Sequence, residues 1–244
     1  MAKSSSKSPP LLGRLVKACV GVLLLPPVVG LAWGLWRQLD SITVGLHSAL
    51  WWFLWGFGGY VSVHVLLLKP AFLFQLNHTL LERLAVWLFG GQVTTVGSEE
   101  PAPARKSRGR GKDEANGASA PPSTLVSFSP YLVPLYVVLA TIALWSATRW
   151  LQRPWSWWDQ AVSVAVGVAL GFHIAMTGED LQEHGDQFPL ETRLVAVAIC
   201  VAGSVLVTSL CMPLALPAFS LPGVFTDMGT STHAIYARIF QTLF

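Results

Sequence analysis

Charged side chains are scarce in this sequence of 244 residues. Asp, Glu, Lys and Arg together make up 12% of it, while hydrophobic residues make up 52%. A soluble domain carries about 25% charged residues, so this chain lacks the polar surface that would cover a globular core in water. The formal net charge of +3 is also too small to indicate a nucleic-acid partner.

Cysteine is also rare and follows no recognisable pattern. The three cysteines, Cys19, Cys200 and Cys211, lie in apolar segments. Their spacing matches neither a disulfide framework nor a set of metal ligands. We therefore expect all three to be buried as small hydrophobic side chains.

Long apolar segments are what the sequence has in place of charge. About 20 apolar residues are needed to cross roughly 30 Å of hydrocarbon, and five segments come near that length. They predict an all-α membrane protein, a bundle of about five transmembrane helices. Small residues in the fourth segment, Ser163, Gly167 and Gly171, predict close contact with another helix. The predicted spans are residues 18–36, 44–68, 131–150, 158–177 and 194–214.

Two adjacent prolines, Pro26 and Pro27, lie in the middle of the first span. A proline has no backbone N–H, so the carbonyl four residues earlier loses its usual helical partner. Membrane helices tolerate this when neighbouring helices satisfy the freed carbonyls. We therefore expect a kink in the first span and a new donor from elsewhere in the chain.

The distribution of charge predicts the orientation and the domain organisation. Basic residues crowd the polar tail at 1–17 and a second segment at 105–112, and such segments stay on the cytoplasmic side of a cell membrane. Residues 18–215 are predicted to form a single membrane domain. Within it, residues 97–123 have no aromatic or large aliphatic side chain and are predicted to be disordered. The tail at 216–244 is predicted to contain an amphipathic helix lying in the membrane interface.

Residues 71–89 form an unusually polar segment of helical length. A helix with this many polar side chains cannot face lipid on all sides, so we predict that it is only partly inserted in the membrane. Beyond it, residues 93–96 and 124–128 have the character of two short strands that would form a β-hairpin. The polar side chains of the segment are Gln75, Asn77, His78, Thr79, Glu82 and Arg83.

His78 and Glu82 are spaced so that both side chains lie on one helical face. An imidazole and a carboxylate can hold a transition metal, but a catalytic zinc needs three protein ligands and a water. His173, near the end of the fourth span, is the candidate third ligand. The alternative is that these groups pair with one another or with neighbouring helices and hold the bundle together. We interpret His47 and His64 of the second span as polar contacts or interfacial residues.

Five short motifs follow one another along the chain. They are Pro70, His78 to Glu82 (HTLLE), Trp87 to Val93 (WLFGGQV), Pro130 to Tyr136 (PYLVPLY) and Phe172 to Thr177 (FHIAMT). In this order they resemble the site-2-protease-like intramembrane zinc metalloproteases, in particular a small bacterial branch. Members of that branch share a leading proline, an H-E-x-x-H zinc helix, a Gly-Gly stop, a P-Y-x-x-P-L-Y span and a later F-H-x-x-x-T helix. The resemblance covers residues 65–215.

The zinc motif departs from the family pattern. By the resemblance, His78 falls on the first zinc histidine, Thr79 on the general-base glutamate and Glu82 on the second histidine. A threonine hydroxyl cannot take a proton from metal-bound water near neutral pH, and losing a general base typically removes a factor of about 10²–10⁴ in rate. No aspartate lies inside a later predicted span to supply the family's third ligand.

The resemblance therefore implies a degenerate relative that does not cleave peptide bonds. We expect a partner-binding or structural membrane protein, whose partners are the lipid bilayer and a helix of another membrane protein. No catalytic residue and no cofactor are expected. The alternative is a metal-dependent intramembrane protease in which His78, Glu82 and His173 hold zinc and another group acts as the base.

Overall fold

The computed structural model describes residues 11–66, 76, 79–80, 83, 132–151, 157–183 and 190–244. Within these residues the chain forms long helices and one small two-stranded hairpin, which confirms the predicted all-α class. The elements are α1 (Leu11–Ser41), β1 (Thr43–Val44), β2 (His47–Ser48), α2 (Ala49–Leu66), α3 (Leu135–Leu151), α4 (Trp158–Glu183), α5 (Leu190–Ala215) and α6 (Leu221–Leu243).

Four of the described helices, α1, α2, α4 and α5, are long and apolar enough to cross a membrane. The apolar helix α3 has 17 residues, which is the lower limit of about 17 for a spanning helix. All five correspond to predicted spans. The second span begins later than predicted, at Ala49, because β1 and β2 form a hairpin before it. Gly45 in the hairpin turn has a φ of 65°, a conformation that glycine adopts without steric cost.

The predicted polar segment at 71–89 lies mostly outside the described residues. The predicted strands at 93–96 and 124–128 and the predicted disordered insertion at 97–123 also lie outside them. These features therefore remain predictions. The described positions of the segment are helical and exposed, and they are Leu76, Thr79, Leu80 and Arg83.

Helices α2 and α4 run parallel to each other and pack closely. Gly56 of α2 lies against the backbone of Val164, and Gly167 of α4 lies against the backbone of Phe53 and Phe57. A Cβ atom at Gly167 would come within 2.9 Å of Phe57 N, closer than real side chains approach a backbone. The close contact predicted from the small residues of α4 is thus confirmed.

Helices α1 and α6 form a second close pair, which runs antiparallel. A Cβ atom at Gly30 would lie 2.8 Å from Met228 O, and one at Gly34 would meet the carbonyl of Val224. The glycines of α1 are four residues apart, so they lie on one face of the helix. That face accommodates the apolar side of α6. The interfacial position predicted for the tail helix stays a prediction.

Contacts from α6 also explain how α1 accommodates its two prolines. Pro27 has no N–H to bond the carbonyl of Leu23. The hydroxyl of Tyr236 donates to that carbonyl, and the hydroxyl of Thr232 donates to Pro26 O at 3.4 Å. The expected donor from a neighbouring helix is confirmed at Leu23. Helix α1 continues through both prolines, and the kink stays a prediction.

The helices alternate in direction along the chain. Helices α1 and α5 begin at one end of the bundle, which we call the near end, and α2, α4 and α6 finish there. Helix α3 begins farther in, since Leu132 just before it contacts Gly203 in the middle of α5. At the near end Arg14 of α1 pairs with Glu191 of α5 at 2.7 Å. At the opposite, far end Arg37 of α1 approaches Asp227 of α6 at 3.7 Å.

The cysteines are free thiols, and all three lie within the described residues. Cys200 and Cys211 are buried, as predicted. The prediction is wrong for Cys19, which is exposed on the outer side of α1. A weakly polar thiol can face the hydrocarbon of a bilayer as well as a protein interior, so its apolar sequence context does not distinguish the two.

Candidate functional site

Polar side chains are buried on α2 and α4 in the half of the bundle towards its near end. His64 of α2 is 5% exposed, and His173 and Thr177 of α4 are 2% and 6% exposed. Polar groups inside a membrane bundle are costly, so they are placed where other protein groups can contact them. This cluster is the candidate site of the molecule.

His64 lies between two partners that come from different helices. Its Nδ1 and the hydroxyl of Tyr60, one turn earlier on α2, share a hydrogen bond of 3.3 Å. Its Nε2 lies 3.3 Å from Glu179 Oε1 on α4. This second contact has the distance of an ion pair but not the alignment of a hydrogen bond, so its strength depends on whether the imidazole is protonated. Both ring nitrogens therefore face a partner.

Aromatic rings surround the cluster and connect three helices. The ring of Phe172 contacts Tyr60 at 5.7 Å and Tyr136 of α3 at 4.9 Å, both in edge-to-face arrangements. Such arrangements are the favoured geometry for aromatic pairs. They fix α2, α3 and α4 against one another beside His64.

The structure describes one of the three predicted metal ligands. His173 is buried on α4, and its role as a ligand stays a prediction. His78 and Glu82 lie outside the described residues, so their convergence with His173 remains a prediction. Among the residues that are described, no three His, Cys, Asp or Glu side chains lie close enough to hold a metal ion. Thr79 is helical and exposed.

The contact between His64 and Glu179 was not predicted from the sequence. His64 was correctly expected to make a polar contact, but no carboxylate lies one helical turn away from it on α2. The partner comes from another helix, far along the chain. Their positions in the sequence could have indicated the contact, because both residues lie near the ends of predicted spans that finish on the same side of the membrane. His47, in contrast, is exposed in the hairpin, where its ring lies 5.7 Å from that of Trp51.

The chain was also compared with known proteins. No protein family, no curated protein and no solved structure matches it. The resemblance to the site-2-protease-like proteases therefore rests on the sequence motifs alone.

The arrangement of the cluster determines what it can do chemically. A histidine that acts as a metal ligand needs a nitrogen lone pair directed at the metal. In His64 one nitrogen faces a phenol and the other faces a carboxylate. The imidazole thus connects α2 to α4.

Proposed function

We propose that this chain is a multi-pass membrane protein that binds a helix of another membrane protein and does not cleave peptide bonds. It is a distant, degenerate relative of the site-2-protease-like proteases, and its polar residues serve to hold the bundle together. The proposal keeps the membrane fold implied by the sequence motifs and assigns no catalytic residue.

The pairing of His64 is the observation that carries this proposal. Its two ring nitrogens face Tyr60 and Glu179, so these three polar groups are directed at one another. A hydrolytic site needs at least one base directed at a water or a substrate. The geometry supports a structural role for the cluster.

The position of Thr79 supports the absence of proteolysis. By the sequence resemblance it occupies the place of the general-base glutamate, and a hydroxyl does not accept a proton near neutral pH. Glu82 in the place of a histidine weakens metal binding without abolishing it, since carboxylates also ligate zinc. Both substitutions act against the same reaction.

An exposed helical face supports the binding of a partner helix. Leu76, Thr79, Leu80 and Arg83 follow the spacing of one face of a helix. All four are exposed, and two of them are large apolar side chains. Partner helices bind to such faces through side chains at this spacing.

Metal analysis and a cleavage assay test the chemical half of the proposal. Elemental analysis of the purified wild-type protein should find far less than one zinc per chain, and His78→Ala should not change the result. The double variant Thr79→Glu with Glu82→His should gain zinc, because it restores the family motif. Stoichiometric zinc in the wild type, lost in His78→Ala and accompanied by cleavage of a transmembrane peptide, would establish the alternative, a metal-dependent intramembrane protease.

Crosslinking in native membranes tests the partner. A photoreactive amino acid at position 80 should give a protein adduct of one discrete mass. The same amino acid at position 142, where an exposed isoleucine lies on α3, is the matched control and should give only lipid adducts. Lipid adducts alone at both positions would contradict partner binding and leave a purely structural role.

A further inference from the structure

Helix α6 has two sides of different character. One side packs against α1, where Val224 and Met228 meet the glycines of that helix. The opposite side, which we call the outer face of α6, is exposed along most of the helix. A Cβ atom at Gly229 on this face would meet nothing within 4 Å, so the backbone is open to close approach by another helix. The exposed residues of the outer face are Thr226, Gly229, Thr230, His233, Phe240 and Gln241.

His233 lies at the level of the middle of α1. The residue before it, Thr232, donates to Pro26 O at 3.4 Å, and Pro26 lies near the centre of the first predicted span. Helix α1 is long and apolar enough to cross a membrane, and α6 packs lengthwise against it. The exposed imidazole of His233 is therefore directed at the middle of the hydrocarbon. An ionisable side chain at that depth is costly unless other protein groups cover it.

The described part of the chain does not provide this cover. His233 is exposed, and its ring makes no hydrogen bond, ion pair or ring contact with the described residues. The hydroxyls of Thr226 and Thr230 donate to carbonyls of their own helix, which leaves their oxygens free to accept. Because of this polar face, α6 is not among the described helices that are apolar enough to cross a membrane. A protein partner on the outer face would remove the cost of placing these groups in lipid.

The chemistry of the outer face fits a second copy of this chain. Its polar groups are hydroxyls, a carboxamide and an imidazole, none of which carries a permanent charge. Each of these groups can both donate and accept a hydrogen bond, so each can pair with its own copy. In a two-fold symmetric dimer, the residues nearest the axis face their own copies. The N–H of one His233 ring can thus donate to the free ring nitrogen of the other.

The spacing of the outer face fits a pair of parallel helices. Residues at intervals that alternate between four and three line the seam of two helices crossing at about 20°. A shallow groove lies on the C-terminal half of the same face, where a side chain of a facing helix can enter. The residues with the alternating spacing are Thr226, Thr230, His233, Ala237 and Phe240. The groove is lined by His233, Tyr236, Ala237, Phe240 and Gln241.

We propose that the chain forms a two-fold symmetric dimer in the membrane through the outer face of α6. Both copies have the same orientation in the membrane, so their α6 helices are parallel and their His233 rings bond to each other. The inference is independent of the proposed function, because it uses neither the zinc motif nor the exposed face at Leu76 and Leu80.

Energy transfer in vesicles tests dimerisation. The full-length protein, labelled at its N-terminus with a donor or an acceptor dye, is reconstituted together in phosphatidylcholine vesicles over a range of lipid-to-protein ratios. Transfer should fall on dilution with lipid along the curve of a dissociating dimer. His233→Leu should weaken the dimer about threefold to tenfold, as expected for the loss of an interhelical hydrogen bond. Dilute detergent separates the copies, so the same substitution should not alter the unfolding of single protomers there.

Blocking the close approach of the two helices gives a larger effect. Gly229→Leu should weaken the dimer more than about tenfold, because both copies carry the added side chain and each is overpacked. The matched control is Gly59→Leu on α2, where a Cβ atom also meets nothing within 4 Å, and it should dimerise like the wild type. Both changes raise helix propensity, so neither should unfold its helix.

Cysteine crosslinking tests which side of α6 forms the interface and needs no change at Gly229. In a background without Cys19, Cys200 and Cys211, a cysteine at position 237 should give a disulfide-linked dimer when native membranes are oxidised with copper phenanthroline in air. Position 239 is also exposed, but it lies about 200° further around the helix. A cysteine there should give little dimer.

Four outcomes would overturn the proposal. The first is energy transfer that is no greater in the wild type than in Gly229→Leu at every dilution. The second is equal crosslinking at positions 237 and 239. The third is an adduct with a different protein, and no dimer, at position 237 in native membranes. The fourth is rapid labelling of a cysteine at position 233 by an impermeant maleimide in opened membranes, which would show that the outer face lies in water.

Discussion

At the scale of single residues, the environment of His64 explains a buried polar group in an otherwise apolar helix. Tyr60 comes from the same helix and Glu179 from a neighbouring one. The imidazole thus gives two other polar groups a partner inside the bundle. Removing it takes this hydrogen bond from the part-buried hydroxyl of Tyr60, which is why we expect the cluster to be sensitive to substitution.

We predict that His64→Ala lowers the free energy of unfolding by about 1–2 kcal/mol, because it leaves the part-buried hydroxyl of Tyr60 without this hydrogen bond. Glu179 is partly exposed, so its loss of a partner adds little. Reversible unfolding of the purified protein in detergent would measure the change. His233→Ala, at an exposed position on α6, should leave stability unaltered. Equal effects of the two substitutions would show that His64 contributes no specific contact.

A second prediction at this scale concerns the prolines of α1. Tyr236→Phe removes the hydroxyl that donates to the carbonyl of Leu23, and should cost about 1–3 kcal/mol because no water replaces the donor in a bilayer. Pro27→Ala restores a backbone N–H to the same carbonyl. In that background Tyr236→Phe should therefore cost less than in the wild type. A double-mutant cycle measures the difference, and strictly additive effects would contradict the proposed replacement.

At the scale of secondary structure, the positions of the spans could be predicted because hydropathy is a local property. The close packing of α4 was also predictable, since small residues recur at Ser163, Gly167 and Gly171. The same spacing at Gly30 and Gly34 was overlooked, because its partner α6 is too polar to be recognised as a neighbour of a span. The contact between His64 and Glu179 could not be predicted from the sequence of α2 alone, because it depends on which helices become neighbours.

The close packing of α2 against α4 predicts how two glycine substitutions change stability. Gly167→Ala would bring a Cβ atom against the backbone of Phe53 and Phe57, and overpacking of this kind costs about 1–3 kcal/mol. Gly59→Ala, also on α2, meets nothing within 4 Å and should stabilise by up to about 1 kcal/mol through helix propensity. Thermal unfolding in detergent should separate the two variants in opposite directions. A shared direction would argue against tight packing at Gly167.

At the scale of the whole molecule, several contacts between polar or charged side chains lie at one end of the bundle. The near end holds the ion pair of Arg14 with Glu191 and the contact of His64 with Glu179. The alternating helix directions bring these features together, although the sequence separates them by more than half its length.

The same alternation predicts the orientation of the protein in its membrane. The basic N-terminal tail precedes α1, and the basic segment at 105–112 follows α2, so both belong to the near end. Lys and Arg in such segments favour the cytoplasm. The hairpin turn at Leu46, which is 94% exposed, then faces the outside. Helix α6 packs lengthwise and antiparallel against α1. This orientation therefore places α6 across the membrane, in place of the interfacial position predicted from the sequence, and returns the C-terminus to the cytoplasmic end.

Cysteine labelling of intact cells tests this orientation. In a background without Cys19, Cys200 and Cys211, a cysteine at position 46 should react with a membrane-impermeant maleimide added from outside. Cysteines at positions 3 and 110 and at the C-terminus should react only after the cells are opened, which also controls for expression and folding. Outside labelling at position 110 would reverse the topology. Outside labelling at the C-terminus alone would show that α6 does not follow α1 back across the membrane.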